Sequence, residues 1–377
     1  MSRHVPAGSG AMSRHVLAGS GARGAIAVGT IGSLLILLGA SQGASPYALK
    51  QPGAWFFGIP TGHHIAFPGP RPQGTLAFLA VLAVLGGMTL LGLAWVWLVR
   101  VRGQDGGLSW RLVALGVVLW TLPLVVVAPV FSRDVYTYAA QGQMMAAHLN
   151  PYHHGPSVLG RSNAYTRLTD PIWRRSVSPY GPLFLLLDEG IVLATGHSVL
   201  WTVELLRLAC LAGVWLAAGG AAVIARRLDK DPVLTVVLVA LNPLLLLHLV
   251  AGAHDDALML GLLLVGLAAA VEGRAWLGVL CCSLGAAFKV PALLGCAYIG
   301  WSCLLPRAAS LARRAVGAAV ASAVGVAVLG VLGAVSGLGL GWIKGLSNAG
   351  VVRLWASPTT GVGMAFGRLL QDAGIIH

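Results

Sequence analysis

An aspartate, a tyrosine and a glutamine stand at Asp134, Tyr138 and Gln141, spaced i, i+4 and i+7. On a helix these positions share one face, so a carboxylate, a phenol and an amide would point the same way. Such a face can hold a polar substrate, with Asp134 able to take a proton from a hydroxyl. The plainer alternative is a carboxylate that merely favours a helix start. A second constellation is His254-Asp255-Asp256. Adjacent carboxylates beside a histidine can hold a divalent cation (Mg, Mn or Ca) or a sugar ring, or can form an ordinary polar turn. Lys289, followed by Val290-Pro291, separates two apolar segments, where a lysine is costly without an anionic partner. A lipid phosphate is one such partner, and snorkelling to the interface is the alternative. Arg133, Arg174 and Arg175 could grip phosphate as forks, or stand as solvated loop residues. Glu204 and Arg207, spaced i and i+3, read as a structural ion pair. His63-His64 and His153-His154 are adjacent pairs whose side chains point apart on a helix or strand, so neither makes a metal site by itself.

The elements that must position these groups are apolar. Of 377 residues, 57% are hydrophobic and only 10% charged, with a mean hydropathy of +0.81. An ordinary soluble domain carries roughly 25% charged residues, so a water-facing surface cannot be built from this chain. The expected fold class is an all-α polytopic membrane protein. A span needs about 20 apolar residues, and on that basis spans are predicted at 25–43, 77–99, 112–131, 200–224, 232–251 and 315–336. Shorter ones are predicted at 256–272, 275–288 and 290–305, for a count of about nine. The last two flank Lys289 and Pro291 and could form a re-entrant pair or one broken helix. The five cysteines all lie in apolar stretches without metal-ligand spacing, and are expected as small buried residues.

The formal net charge of +13 raises the question of nucleic acid, but the basic residues sit between apolar runs rather than on one polar face, so no nucleic-acid partner is expected. Arg3, Arg14 and Arg23, then Arg100, Arg102 and Arg111, then Arg226, Arg227 and Lys230, then Arg307, Arg313 and Arg314 fall on one side of the predicted spans. The excess of Lys and Arg in short loops makes that side cytoplasmic. Residues 1–24 form a flexible cytoplasmic N-terminus with an 11-residue segment repeated once, Met1–Ala11 and Met12–Ala22. Residues 25–336 form the transmembrane domain. The segments 44–75, 132–199 and 337–377 then face outward. The outer loop 132–199 opens on an amphipathic helix from Phe131 to His148, stopped by Asn150-Pro151. It closes on a short apolar segment, Gly181 to Thr195, that suits an interfacial helix better than a span. A loop this long between two interfacial helices is the expected seat of the chemistry.

Taken in order, Ser132-Arg133-Asp134-Val135-Tyr136-Thr137-Tyr138, Asn150-Pro151-Tyr152, Ser178-Pro179-Tyr180-Gly181-Pro182, Leu241-Asn242-Pro243 with His248, His254-Asp255-Asp256, Lys289-Val290-Pro291 and Ser357-Pro358-Thr359-Thr360 form a pattern. It resembles the polyprenol-phosphomannose-dependent α-1,6-mannosyltransferases of actinobacteria, within the GT-C class of membrane glycosyltransferases, over roughly residues 75–370. The resemblance implies a GT-C-like fold and an inverting transfer of mannose from a polyprenyl-phosphate-mannose donor to a lipid-linked mannan acceptor, outside the plasma membrane. It implies that Asp134 is the general base. Arg133, Lys289, Arg174 and Arg175 would neutralise the departing phosphate, and His254, Asp255 and Asp256 would line the sugar or phosphate end of the cavity. The two interfacial helices would give the lipid-linked donor a sideways entrance. Chains of that class are longer, so a fragment or natural truncation is expected here, with an inactive scaffold as its consequence if the missing part is essential. The His-Asp-Asp triplet is a variant of the family's usual residues, so a metal role for Asp255 and Asp256 stays open.

A transporter or flippase for lipid-linked sugars is the competing reading, because it needs the same apolar bulk, polar outer groove and basic residues. Transporters of that kind carry inverted repeats with paired broken helices. No repeat beyond the N-terminal duplication is visible, and the single long outer loop favours an enzyme.

Overall fold

The computed structural model describes residues 9–41, 54–56, 59–61, 75–105, 108–306, 308–347, 358–372 and 374. The chain runs through α1 (Ser9–Ala40), α2 (Thr75–Asp105), α3 (Trp110–Val126), α4 (Asp134–Ala146), α5 (Ala164–Leu168), α6 (Pro182–Ala194), α7 (Val199–Arg227), α8 (Pro232–Ala240), α9 (Pro243–Leu245), α10 (Asp256–Val271), α11 (Ala275–Phe288), α12 (Leu293–Ser302), α13 (Leu311–Val335), α14 (Trp342–Gly345) and α15 (Pro358–Asp372). A short antiparallel pair, β1 (Ala54–Phe56) and β2 (Ile59–Thr61), with Trp55 opposite Pro60, interrupts an otherwise helical chain. His63-His64, Arg3 and Arg307 lie outside the described residues.

Among the described residues, five helices are long and apolar enough to cross a membrane: Ser20–Ala40, Phe78–Arg102, Val199–Arg227, Pro232–Ala251 and Leu311–Val335. Four more apolar helices, Trp110–Val126, Asp256–Val271, Ala275–Phe288 and Val290–Ser302, are 10–17 residues long. All nine predicted apolar segments therefore become helices, but only five reach spanning length. The protein is an all-α membrane protein. The second copy of the N-terminal repeat lies within α1, which starts at Ser9, so residues 9–24 are helical rather than loose.

Small residues let these helices approach, since inside a membrane close van der Waals packing replaces the hydrophobic drive. A Cβ added at Gly261 of α10 would stand 2.6 Å from the Gly213 carbonyl oxygen of α7. Ion pairs fasten one end of the bundle. Arg102, at the end of α2, pairs with Asp231 (2.5 Å), which also caps α8 by accepting from the Val233 and Leu234 amides. Arg227, at the end of α7, pairs with Glu272 after α10. Glu204 and Arg207 form the expected pair within α7 at 2.9 Å.

The outer loop differs from its expected form. The helix expected from Phe131 to His148 starts at Asp134 and ends at Ala146, four residues before Asn150, and His148 turns the chain with φ 56. Val135 to Gly142 are buried without a break, because α5, α6 and α7 all pack on α4. The helix is thus enclosed by protein, and does not lie with one face in lipid. The second segment forms α6 close to its expected bounds. It meets α4 so closely that a Cβ on Gly142 would stand 2.4 Å from the Asp188 carbonyl oxygen.

Candidate active site

The site forms at the end of the bundle away from the basic loops, where α3 leads into α4, α10 begins and α11 ends. Helix α3 stops at Val126, and an extended stretch carries the chain to Arg133, the residue that precedes α4. Ser132 Oγ accepts from the Asp134 amide at 3.1 Å, so the serine serves the helix start and the Asp134 side chain makes no cap. Its carboxylate instead faces two donors. The Trp173 indole N–H donates to Oδ1 at 3.0 Å, and His254 Nε2 lies 3.4 Å from Oδ2. Burial alone would raise the Asp134 carboxyl. The bond and charge of His254, with Ser132 and Trp173, outweigh that and hold it below its ordinary range.

A second cluster lies beside the first. Asn242 caps Pro243 by accepting from the Leu244 amide at 2.9 Å, and the helix then widens into a π-helical stretch, Leu246–Ala251. Such stretches are rare and concentrate at functional sites. The break expected at Asn242-Pro243 is present, and it delivers His254, Asp255 and Asp256 to the start of α10. Lys289, in the extended residue between α11 and the short turn Val290–Ala292, reaches Asp256 at 2.8 Å and Asp255 at 3.4 Å. Tyr138 donates to Asp255 Oδ1 at 3.3 Å. Asp255 is fully buried, and its second oxygen has no protein partner. Burial raises its carboxyl to about 6, with the Lys289 charge opposing and Asp256 adding to the rise. Burial pulls the Lys289 ammonium down, but Asp255 and Asp256 more than restore it.

A cavity of about 240 Å³ opens between these groups. Asp134, Gln141 and Lys289 give it polar corners with Thr137 and Ser176, Trp173 and Tyr180 give it aromatic walls, and Val177, Pro179, Val290, Pro291 and Leu346 are its apolar lining. Of the face expected on α4, Asp134 and Gln141 reach the cavity, and Gln141 accepts from Ser178 Oγ at 3.1 Å. Tyr138 does not. It is buried edge-on against Tyr180 and Phe184, with its hydroxyl committed to Asp255.

The three arginines do not gather at the cavity. Arg174 donates to the Thr169 and Arg167 carbonyls at 3.0 and 2.9 Å, which makes it a brace of the outer loop. Arg175 is exposed, and neither it nor Arg133 lines the cavity. The metal reading of Asp255 and Asp256 also changes, because the Lys289 ammonium already stands between the two carboxylates. Among the described residues no group of three or more His, Cys, Asp or Glu side chains could hold a metal ion.

Residues 26–305 match the family model described as alpha-(1->6)-mannopyranosyltransferase, N-terminal domain. The chain belongs to this family. A probable alpha-(1->6)-mannopyranosyltransferase of Mycolicibacterium smegmatis is 33% identical over 312 residues, covering 75% of this chain and 56% of the relative. Alpha-(1->6)-mannopyranosyltransferase B of Corynebacterium glutamicum is 32% identical over 376 residues, covering 92% and 60%. Alpha-(1->6)-mannopyranosyltransferase A of Mycobacterium tuberculosis is 34% identical over 288 residues, covering 75% and 55%. The chain thus spans somewhat more than half the length of these relatives. No solved structure matches it.

Every polar group of the cavity falls inside the family match; Leu346 comes from beyond it. That residue arrives because the segment after α13 folds back onto the outer loop, where a Cβ at Gly345 would stand 2.1 Å from the Ser178 carbonyl oxygen. Trp173 and Tyr180 are the important wall residues that spacing did not single out. Tyr180 sits in the Ser178–Pro182 motif, but Trp173 had no signal beyond being an aromatic residue in a polar loop.

Proposed function

We propose that this chain catalyses inverting transfer of mannose from polyprenyl-phosphate-mannose to an α-1,6-linked mannan on a lipid anchor, at the outer face of the plasma membrane. The observation that carries the reading is the Asp134 carboxylate on the wall of an apolar cleft, with the Lys289 ammonium on the same cleft. Membership of the mannopyranosyltransferase family supports the reaction class. In the reaction, Asp134 takes the proton of the acceptor's primary hydroxyl while that oxygen attacks the anomeric carbon from the face opposite the phosphate. An ammonium has three N–H donors. Two of those on Lys289 are directed at Asp255 and Asp256, which leaves one for an oxygen of the departing phosphate. The Val177, Pro179, Val290, Pro291 and Leu346 walls suit the start of an isoprenoid chain.

The assigned face follows from the positions of the basic loops. Arg102, Arg111, Arg226, Arg227 and Lys230 sit at the helix ends remote from Asp134, and short basic loops stay cytoplasmic. The reading therefore has the N-terminus inside and the cavity outside. The test uses membranes containing the chain, supplied with radiolabelled polyprenyl-phosphomannose and a short α-1,6-mannoside. Elongation that is lost in Asp134→Asn is the expected result. Full transfer in that variant would overturn the base assignment, and movement of label across the bilayer without elongation would favour a transporter.

A further inference from the structure

The proton that Asp134 removes from a hydroxyl needs a resting place within the site. The fold supplies one. After the π-helical stretch, Gly252 and Ala253 turn the chain sharply, Ala253 at φ 52, a left-handed conformation that a non-glycine residue adopts only under constraint. This turn brings the His254 ring back over the residues it follows, and Nδ1 meets the His248 carbonyl at 2.8 Å. A carbonyl oxygen only accepts, so Nδ1 carries a hydrogen in both charge states of the ring. The nitrogen that can gain and lose a proton is therefore Nε2, and it faces Asp134 Oδ2 at 3.4 Å.

We propose that Asp134 and His254 act as one two-residue base, with His254 Nε2 as the destination of the acceptor's proton. This rests on the mannosyl-transfer reading of the cavity. The acceptor O–H bond breaks and its proton passes to Asp134. The oxygen's electron pair forms the new bond to the anomeric carbon, while the pair of the breaking bond leaves with the phosphate. The proton then crosses from Asp134 to Nε2, leaving an imidazolium beside a carboxylate, and returns to water after product departs. His254 is a positioning residue in the sense that it acts through Asp134. Burial pulls its ring down, but Asp134 and the His248 carbonyl raise it above the ordinary imidazole value. The groups facing the ring are Asp134 from α4, His248 from the π-helical stretch and its neighbour Asp255, beyond which lie Lys289 and Asp256.

The sign of the pH dependence decides the matter. A relay must start with a neutral imidazole, so kcat/KM should rise with pH through the raised His254 value and then level. A fixed imidazolium that only holds Asp134 in place predicts the reverse, a rate that falls over the same range. In His254→Gln the rise should move down to the range of an isolated carboxyl, and kcat should fall on the order of 10²-fold. A wild-type rate that falls with rising pH, or a His254→Gln variant that keeps the wild-type rate and profile, would overturn the relay. A second measurement needs no turnover: in ring-¹⁵N-histidine spectra of the full chain, assigned by difference from His254→Gln, the Nε2 titration should move to lower pH in Asp134→Asn. Identical titrations in the two would overturn the coupling. No transfer by the wild type at any pH, together with a shifted titration, would fail the mannosyl-transfer reading while leaving the pair itself established.

Discussion

Replacing Lys289 by Met removes a charge from a fully buried carboxylate while keeping a similar apolar stem. In the folded chain Asp255 is raised from the ordinary 3.8 to about 6 even with Lys289 present. That rise corresponds to a penalty of about 3 kcal/mol at neutral pH. Without the lysine the carboxyl escapes further cost by taking a proton, and holding an ordinary carboxyl neutral at pH 7 costs about 4.4 kcal/mol. The difference, about 1.4 kcal/mol, is the most that Asp255 can add to the destabilisation at pH 7. Asp256 loses its 2.8 Å partner too, but its side chain is 38% exposed, so that loss adds less than about 1 kcal/mol. The expected cost is about 2 kcal/mol at pH 7. It should shrink towards pH 5, because a group raised in the folded state contributes its stability at low pH and loses it as pH rises through the folded value. Tryptophan fluorescence of the purified protein, followed through thermal unfolding at both pH values, reads this directly. The double variant Lys289→Met with Asp255→Asn should recover most of the loss, yet remain defective in transfer if the ammonium serves the phosphate. An equal loss at pH 5 and pH 7 would refute the electrostatic account and leave only packing of the lysine stem.

Two further outcomes follow from the same geometry. Trp173→Phe keeps the aromatic wall but removes the donor on Asp134. A hydrogen bond to a charged group contributes about 1.5–3 kcal/mol, so kcat should fall by roughly ten- to a hundredfold, and an unchanged kcat would detach the indole from the reacting carboxylate. Gly181→Ala would place a Cβ 2.2 Å from the Ala287 carbonyl oxygen. The start of α6 must then shift at a cost of about 1–3 kcal/mol, and limited proteolysis should cut the 132–199 loop faster; wild-type cleavage rates would show that the contact yields freely.

The apolar helices were legible because apolarity suffices to find them, but four of the nine proved shorter than a span. The break at Lys289 fell between Phe288 and Val290 as the sequence placed it, since a lysine and a proline between apolar runs leave little choice. Asp134 was also legible, as a carboxylate placed where an apolar segment ends. Its partners were not. Helical spacing fixes the angle between Asp134 and Tyr138 but says nothing about which neighbour covers that face, and Tyr180 and Phe184 cover the tyrosine. Trp173 lies 39 residues beyond Asp134, brought to it by loop turns that carry no periodicity. Arg174 looked like a phosphate ligand because a guanidinium suits phosphate, yet the same fork suits two backbone carbonyls, and a loop with few regular elements has carbonyls to satisfy.

For the proposed polyprenyl-phosphate donor, the pairing of charges at the cavity would give a basis for selectivity. Asp134 faces His254, and Lys289 is matched by Asp255 and Asp256, so the +13 of the chain is not concentrated there. A strongly cationic pocket would hold any phosphorylated lipid, and would hold the released polyprenyl phosphate as firmly as the donor. Near-balanced groups in an apolar wall act differently. They offer one ammonium hydrogen and the free lone pairs of one carboxylate, in surroundings where each is worth more than in water. Such a site favours the moment at which charge moves from acceptor to phosphate over the resting charge of the donor, which is the condition for accelerating the step instead of tightening binding.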